Sequence, residues 1–363
     1  MHSIVEKLLT WYDKNRRDLP WRKTSDPYRI WVSEIILQQT RVKQGIGYYY
    51  RFLEAFPHVE ALAAADEQDV LKIWQGLGYY SRARNMHYAA QSIAEKHSGK
   101  FPDSYNEILA LKGIGHYTAG AIASFAYGLP YPAVDGNVMR VLARLFEIDE
   151  EINTSAGSKQ IYRIAGSLIP SDKPAAFNQA LIEFGALWCT PKNPRCEDCP
   201  LQEHCSGFRS NKVHRLPRKK PARKPKERIL NYLVMRDRDN NTVYLRKRSD
   251  DNDIWKNLYD FPVIETREPV NPDELMNTTE WKQWIGNRYR EITLSSGKRK
   301  HQLSHQTLHA YFWEVRIEGS IDTLPAESIV KDSLQNVSRY PFPRLIDAYL
   351  NEQVPEYRKS HKK

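Results

Sequence analysis

Two carboxylates and four cysteines carry most of the chemical promise of this 363-residue chain. Glu34 lies within Ile-Trp-Val-Ser-Glu-Ile-Ile-Leu (30–37). At helical spacing its neighbours are Trp31 and Gln38, which sets it on or beside an apolar face. Burial there disfavours the ionised carboxylate and raises its pKa, the property a general acid needs near neutrality. The alternative is a glutamate turned sideways to solvent. Asp135, in Val-Asp-Gly-Asn-Val, precedes the start of an expected helix, where an N-cap is its plainest role. Cys189, Cys196, Cys199 and Cys205 form a C-x6-C-x2-C-x5-C loop and are all the cysteines of the chain. In a reducing compartment such a cluster means a metal site before it means disulfides. Four thiolates on so short a loop hold either tetrahedral zinc or a [4Fe–4S] cluster. The spacing differs from the paired C-x2-C units of zinc ribbons and leans to iron–sulfur.

The elements around these residues point to an anionic partner. Residues 111–140 open with Leu-Lys-Gly-Ile-Gly and run into a helix from Thr118. A glycine hairpin between two helices presents free N–H groups at the second helix's start, a geometry suited to a phosphate oxygen, although most Gly-x-Gly turns are plain turns. Residues 75–85, Gln-Gly-Leu-Gly-Tyr-Tyr-Ser-Arg-Ala-Arg-Asn, put glycines, paired tyrosines and arginines at a helix junction. That mixture suits a loop pressed on a nucleic-acid backbone with an aromatic free to wedge between bases. A glycine C-cap with a tyrosine folded onto the core is the other reading. Lys and Arg number 54 against 44 Asp and Glu, a net charge of +10 with a pI near 9.2, which favours nucleic acid as partner without requiring it. No apolar run is long enough to span a bilayer and the N-terminal residues lack a signal-peptide core, so an intracellular protein without membrane contact is expected.

Helical patterning holds to about residue 210: a stripe over Ile4, Leu8, Leu9 and Trp11, then 30–42, 48–56, 61–74, a run after Asn85, and 157–188. Residues 211–228 carry nine Lys/Arg and three prolines and read as an extended, phosphate-seeking linker. Beyond it the period changes to two: 228–235 and 242–246 flank a turn at 237–241, and 309–316 reads as a further strand after a polar turn at 301–306. The layout expected is multidomain: an all-α domain over 1–210 with the cysteine loop at 189–205, the linker at 211–228, an α+β domain over 229–350 and a basic tail over 351–363, unstructured from Arg358. No glutamate-rich helix in the second domain offers magnesium ligands, so a binding module is expected there.

Taken in order, SEIILQQT, GLGYYSRARN, LKGIGHYTAGAI, AVDGNVMR, the cysteine loop and an appended second domain resemble the helix–hairpin–helix DNA glycosylases that carry an iron–sulfur cluster. Among these the resemblance is to the MutY family of adenine glycosylases, with its Nudix-like C-terminal domain, and it covers nearly the whole chain. It implies a [4Fe–4S] cofactor on the four cysteines and removal of adenine opposite 8-oxoguanine or guanine in duplex DNA. Glu34 then matches the general acid, Asp135 the carboxylate that stabilises positive charge on the sugar, and Asn137 the residue supporting that aspartate. A raised Glu34 and an ionised Asp135 would divide the acid and base roles. Tyr117 stands where the β-lyase relatives carry a nucleophilic lysine, so a monofunctional enzyme leaving an abasic site is implied. Gln39, Thr40, Leu77 and Tyr79 would meet the duplex beside the extruded base, while Arg22 and Gln179 would line the adenine pocket. The amides around Gly113 and Gly115 would clamp the backbone, with Lys192 and Arg195 adding phosphate contacts. The family's recognition turn, Phe-Ser-His, reads Leu303-Ser304-His305 here, keeping Ser304 and His305 but losing an aromatic face. A monomer acting on nucleoid DNA in the cytoplasm, bacterial in origin, is the accompanying expectation. The rivals are a thymine-mismatch or oxidised-pyrimidine glycosylase and a non-catalytic mismatch-binding protein.

Overall fold

The structure, a computed structural model, describes residues 2–221, 224–237, 242–249, 253–318 and 329–360. Helices occupy His2–Asn15 (α1), Pro27–Leu37 (α2), Val42–Ala55 (α3), Val59–Ala64 (α4), Glu67–Ile73 (α5), Ser81–Lys96 (α6), Tyr105–Ala110 (α7), His116–Tyr127 (α8), Gly136–Leu145 (α9), Ser155–Leu168 (α10), Pro174–Leu187 (α11) and Ser206–Arg209 (α12). Strands follow at Lys226–Arg236 (β1), Thr242–Lys247 (β2), Tyr259–Asp260 (β3), Val263–Thr266 (β4), Tyr289–Gln302 (β5), Gln306–Ile317 (β6) and Ile329–Ser333 (β7). Four further helices lie at Pro272–Met276 (α13), Thr279–Trp284 (α14), Arg344–Gln353 (α15) and Pro355–Ser360 (α16). Among the described residues no helix is long and apolar enough to cross a membrane.

The chain divides into two compact units, one of Met1–Ala65 with Asn85–Pro221 and one of Asp66–Arg84 with Ala222–Lys363. These units depart from the boundary expected at residue 210 in two places. Residues 66–84, which read as part of the helical domain, pack within the second unit: Gln75 donates to Asp347, and Tyr80 donates to the Phe342 carbonyl. Most of the expected linker belongs to the first unit, because its backbone is bonded there. Ile152 N–H donates to Arg218 O, and Asn153 both donates to Lys220 O and accepts from Lys220 N–H. β1 starts at Lys226, inside the range read as linker. The tail read as unstructured from Arg358 is helical through Ser360, the end of α16, which buries Tyr357 with its hydroxyl donating to Asp347.

In the first unit α1, α9, α10 and α11 share one core around Leu8, Trp11, Val138, Leu142, Phe177 and Phe184. The expected helices are interrupted where cap chemistry outbids the apolar pattern. The helix read through residue 42 ends at Leu37 because Gln39 takes a left-handed φ of 60°. The stretch 61–74 breaks at Asp66, whose side chain caps α5 by accepting from Gln68 N–H. The stretch 157–188 breaks before Pro174, the first residue of α11.

The second unit is built on a mixed sheet in the order β3-β2-β1-β6-β5, with β4 also pairing β1 and β7 pairing β2. β1 and β6 run parallel, from Lys226 opposite Gln306 to Arg236 opposite Arg316. Alternation along β1 sends Leu230, Tyr232 and Val234 to one core with Phe312 and Tyr349, and Leu233 and Met235 to another with Trp281 and Trp313. Both faces of the strand are thus covered, as an apolar run of this length requires. The turn read at 237–241 lies, after Asp237, outside the described residues, and the 301–306 turn closes β5 onto β6 through Leu303 N–H to Gln306 O at 2.8 Å.

Candidate active site

α2 begins with Asp26 as N-cap and Pro27 at its first position, and eight of its residues, Glu34 included, are buried. Glu34 is 6% exposed, on the apolar side rather than turned to solvent. Its Oε2 accepts a hydrogen bond of 2.6 Å from the Tyr117 hydroxyl in the first turn of α8. Burial dominates its titration and pushes the carboxyl up to about 7; Asp135 adds to the rise, while the Tyr117 hydrogen bond and Arg22 oppose it. Burial raises the Tyr117 phenol well above its ordinary value, so it stays a donor.

Asp135 arrives on a loop that crosses α8 at Gly120, where a Cβ would stand 2.3 Å from the Pro132 carbonyl oxygen. It caps α9: Oδ1 accepts from Asn137 and Val138 N–H, both at 2.8 Å, and Oδ2 accepts from Asn137 Nδ2 at 2.7 Å. Burial raises this carboxyl too, against those three bonds and Arg140. The difference remains chemical: Asp135 is held by donors that stabilise an anion, and Glu34 by one phenol. Asn137 in turn accepts from Arg140 Nη2 at 2.9 Å, and Arg140 donates to the carbonyls of Gly185 and Cys189.

Glu34, Tyr117, Asp135, Asn137, Arg22, Gln39, Thr40 and Gln179 all line one cleft of about 580 Å³, a volume typical of small-molecule sites. Two side-chain contacts behind the cleft escaped the sequence reading. Glu183, fully buried on α11, binds the guanidinium groups of Arg17 and Arg22, with Arg22 Nη2 at 2.9 Å. Those bonds outweigh burial and hold its carboxyl down at about 2. Its sequence signal, a glutamate in an apolar helical run, is the same as that of Glu34. Gln179 accepts from the Tyr12 hydroxyl at 2.5 Å, so its amide is oriented.

At the hairpin Gly113 has φ 80°, and a Cβ there would meet Asn85 Cβ at 2.6 Å. Gly115 is the N-cap of α8 with no side-chain cap, which leaves first-turn amides for an anion.

The four cysteines line a single pocket whose walls include Val141, Leu145, Phe184 and Leu201. Among the described residues no three Cys, His, Asp or Glu side chains are set around one metal ion. A [4Fe–4S] cluster would take one thiolate on each of its four irons, and so needs sulfurs spread farther apart than one ion does, which suits a cysteine-lined pocket. Burial pushes the Cys199 thiol up to about 12, so iron must displace its proton.

In the second unit Leu77 and Tyr79, from the segment before α6, share a cleft of about 490 Å³ with Ser304 and His305 on the β5–β6 turn. Tyr79 is 51% exposed at φ 48°, the aromatic that stands free rather than folding onto the core. Trp255, unremarked in the sequence, lines the same cleft at φ 63°, with its ring 5.8 Å from that of His301. Its loop is clamped by Arg248 Nε to Ile254 O at 2.8 Å and Arg84 Nη1 to Lys256 O at 2.9 Å.

Comparison with known proteins follows this geometry. Residues 32–168 match the HhH-GPD superfamily of base excision DNA repair proteins, 231–352 the NUDIX domain, and 189–205 the iron-sulfur binding domain of endonuclease III. An adenine DNA glycosylase of Buchnera aphidicola subsp. Baizongia pistaciae is 38% identical over 309 residues, covering 84% of each chain. The chain belongs to the adenine DNA glycosylase family. It is an N-glycosylase, a hydrolase of the N-glycosidic bond, with a helix–hairpin–helix domain, a Nudix-like domain and a [4Fe–4S] cofactor, and the matched iron-sulfur domain spans all four cysteines. The human adenine DNA glycosylase is 41% identical over 207 residues, 54% of this chain and 38% of the human one. A thermostable thymine-DNA glycosylase of known structure superposes with a TM-score of 0.53 at 31% identity, over 57% of this chain and 95% of its own. The cleft lined by Glu34 and Asp135 lies wholly within the helical unit of this adenine DNA glycosylase family member.

Proposed function

We propose that this adenine glycosylase excises adenine paired with 8-oxoguanine or guanine in duplex DNA and leaves an abasic site without cutting the strand. The observation that carries the proposal is the Tyr117–Glu34 hydrogen bond, with Glu34 near pKa 7 in the cleft that also holds Asp135. The adenine leaves the stack and enters this cleft, where Arg22 and Gln179 line its pocket. Glu34 gives its proton to the adenine ring, which weakens the C1′–N9 bond and lets the base depart with that bond's electron pair. Positive charge develops on the sugar, and the Asp135 carboxylate, oriented by Asn137, stabilises it. Water adds to C1′, and its proton returns to a carboxylate of the cleft. Tyr117 keeps its proton and has no amine, so it forms no imine with the sugar, which supports a monofunctional reaction.

The [4Fe–4S] group supplies no bond-making step here; its four thiolates shape the 189–205 loop. The uncapped turn at Gly115 and Gly113 grips a backbone phosphate. In the second unit Ser304 and His305 face the base opposite the adenine, with Leu77, Tyr79 and Trp255 as the apolar wall. Gln39 and Thr40 fill the gap left by the extruded base. The enzyme works as a monomer on cytoplasmic DNA.

Single-turnover base release tests this proposal with A opposite 8-oxoguanine, A opposite guanine, A opposite thymine, and T opposite guanine. Release of adenine from the first two duplexes, as alkali-labile rather than nicked strands, is expected. Release of thymine instead would transfer the chain to the activity named for its structural neighbour.

A further inference from the structure

Arg144 is 3% exposed, on α9, and it is a cation without an anion. Its Nε donates to Leu216 O at 3.0 Å, Nη1 to Thr190 O at 2.7 Å and to Cys189 Sγ at 3.4 Å, and Nη2 to Pro191 O at 3.2 Å. Every one of these acceptors is a neutral carbonyl except the sulfur. Other deeply set arginines have carboxylates: Arg22 has Glu183, and Arg248 has Asp253 and Asp260. Among the described residues no carboxylate forms an ion pair with Arg144. A guanidinium does not escape burial by losing its proton, and a buried charge without a counter-charge is strongly destabilising. The structure therefore holds a positive charge in place against something negative.

Among the described residues, the group bonded to Arg144 that becomes negative is the cysteine set. Cys189 accepts from Arg144 directly, and the Cys205 thiol points at the Arg144 carbonyl oxygen at 3.5 Å. Gly207 allows this approach, since a Cβ there would lie 2.6 Å from that oxygen. Four thiolates with a [4Fe–4S] core carry net negative charge. We infer that Arg144 is the counter-charge of the iron–sulfur cluster: it offsets the cluster's charge through Cys189 and thereby favours its more reduced state. By the same contacts it ties the cysteine loop to Leu216 in the segment leading toward β1. Coulomb's law fixes the sign, because a nearby cation stabilises the more negative member of any redox couple and raises its potential.

The test uses the full chain loaded with iron and sulfide, as wild type, Arg144→Lys, Arg144→Gln and Arg144→Met. Iron content per chain and the cluster's reduction potential by film voltammetry are the two readouts. Gln and Met are expected to lower the potential, while Lys, which keeps the charge, stays nearer wild type. A role in packing alone would not order the variants by charge. A loaded Gln or Met variant at the wild-type potential would overturn the inference. If the neutral variants come out short of iron while Lys stays loaded, the charge is again what matters. Equal loss in Lys, Gln and Met would overturn it, since shape rather than charge would then be decisive.

Discussion

The two clefts of the molecule are built from opposite materials. In the helical unit the chemistry rests on titration: Glu34 is pushed up to about 7, beside a second raised carboxyl, on helices with ordinary caps. In the second unit the charges are balanced and left-handed residues gather at the cleft, where the first cleft has Gln39 alone among its non-glycine lining residues. Arg228, Arg246 and Arg248 face Asp253, Asp260 and Glu265, while Tyr79, Trp255 and Asn257 all hold positive φ. Each such residue stores about 1–3 kcal/mol of strain, which the clamps around it must offset. A cleft that moves a proton needs one group poised between two states. A cleft that reads a shape needs its wall set before the ligand arrives.

The largest expected effects fall on the titrating cleft. Glu34→Gln should slow single-turnover adenine release by about 10²–10⁴-fold, and Asp135→Asn by about 10²–10³-fold. With Glu34 as the proposed general acid, release should fall as pH rises through about 7, and that limb should vanish in Glu34→Gln. A flat profile from pH 6 to 8 in wild type would remove the proton from the comparison. Next is Glu183→Gln, which leaves Arg17 and Arg22 without their carboxylate and should cost about 3 kcal/mol of stability by denaturant unfolding. The sign for this carboxyl is the reverse of Glu34: its folded pKa is depressed, so its contribution is present above about 4.5 and is lost as pH falls toward about 2.

A third effect separates position from charge. Gly185→Ala puts a Cβ 2.7 Å from Asn137 Cβ and 2.9 Å from its carbonyl oxygen, against the cap that holds Asp135. Adenine release should slow by up to about 10²-fold, while the pH limb assigned to Glu34 stays in place. In the second cleft, Trp255→Ala should reduce the preference for A opposite 8-oxoguanine over A opposite guanine about tenfold, as loss of a base–aromatic contact does, and leave excision of A opposite guanine nearly unchanged. An unchanged ratio would reduce Trp255 to scaffold. The smallest effect probes strain alone. Tyr79→Gly should unfold about 1 kcal/mol later than Tyr79→Ala, because glycine accepts φ 48° freely, whereas in an ordinary helix or strand glycine would be the worse residue.

Much of the helical unit was legible because its apolar stripes and glycine hairpin are local signals. The α2 boundary was not, since Gln38 and Gln39 are acceptable helix residues and only the left-handed turn into α3 ends it there. Nothing local marked residues 66–84 as belonging with the second unit: their partners, Tyr340, Phe342, Asp347 and Tyr357, stand more than 250 residues away in sequence. Trp255 was invisible for a related reason, as a lone tryptophan carries no sign of the left-handed loop that presents it.

Glu34 and Glu183 mark the limit most sharply. By sequence alone, each is a glutamate inside an apolar helical run, and that is enough to determine that burial will strain its charge. Cysteine spacing likewise determined a metal-binding loop, and the order of the motifs determined the family. Which glutamate keeps its proton was decided only by tertiary structure. Arg17 and Arg22 converge on Glu183 and hold it ionised near the low end of the range, whereas Glu34 receives one phenol and a neighbouring carboxylate and titrates near neutrality. A pKa is set by the charges and donors within a few ångströms, and those neighbours come from helices that meet only when the chain has folded.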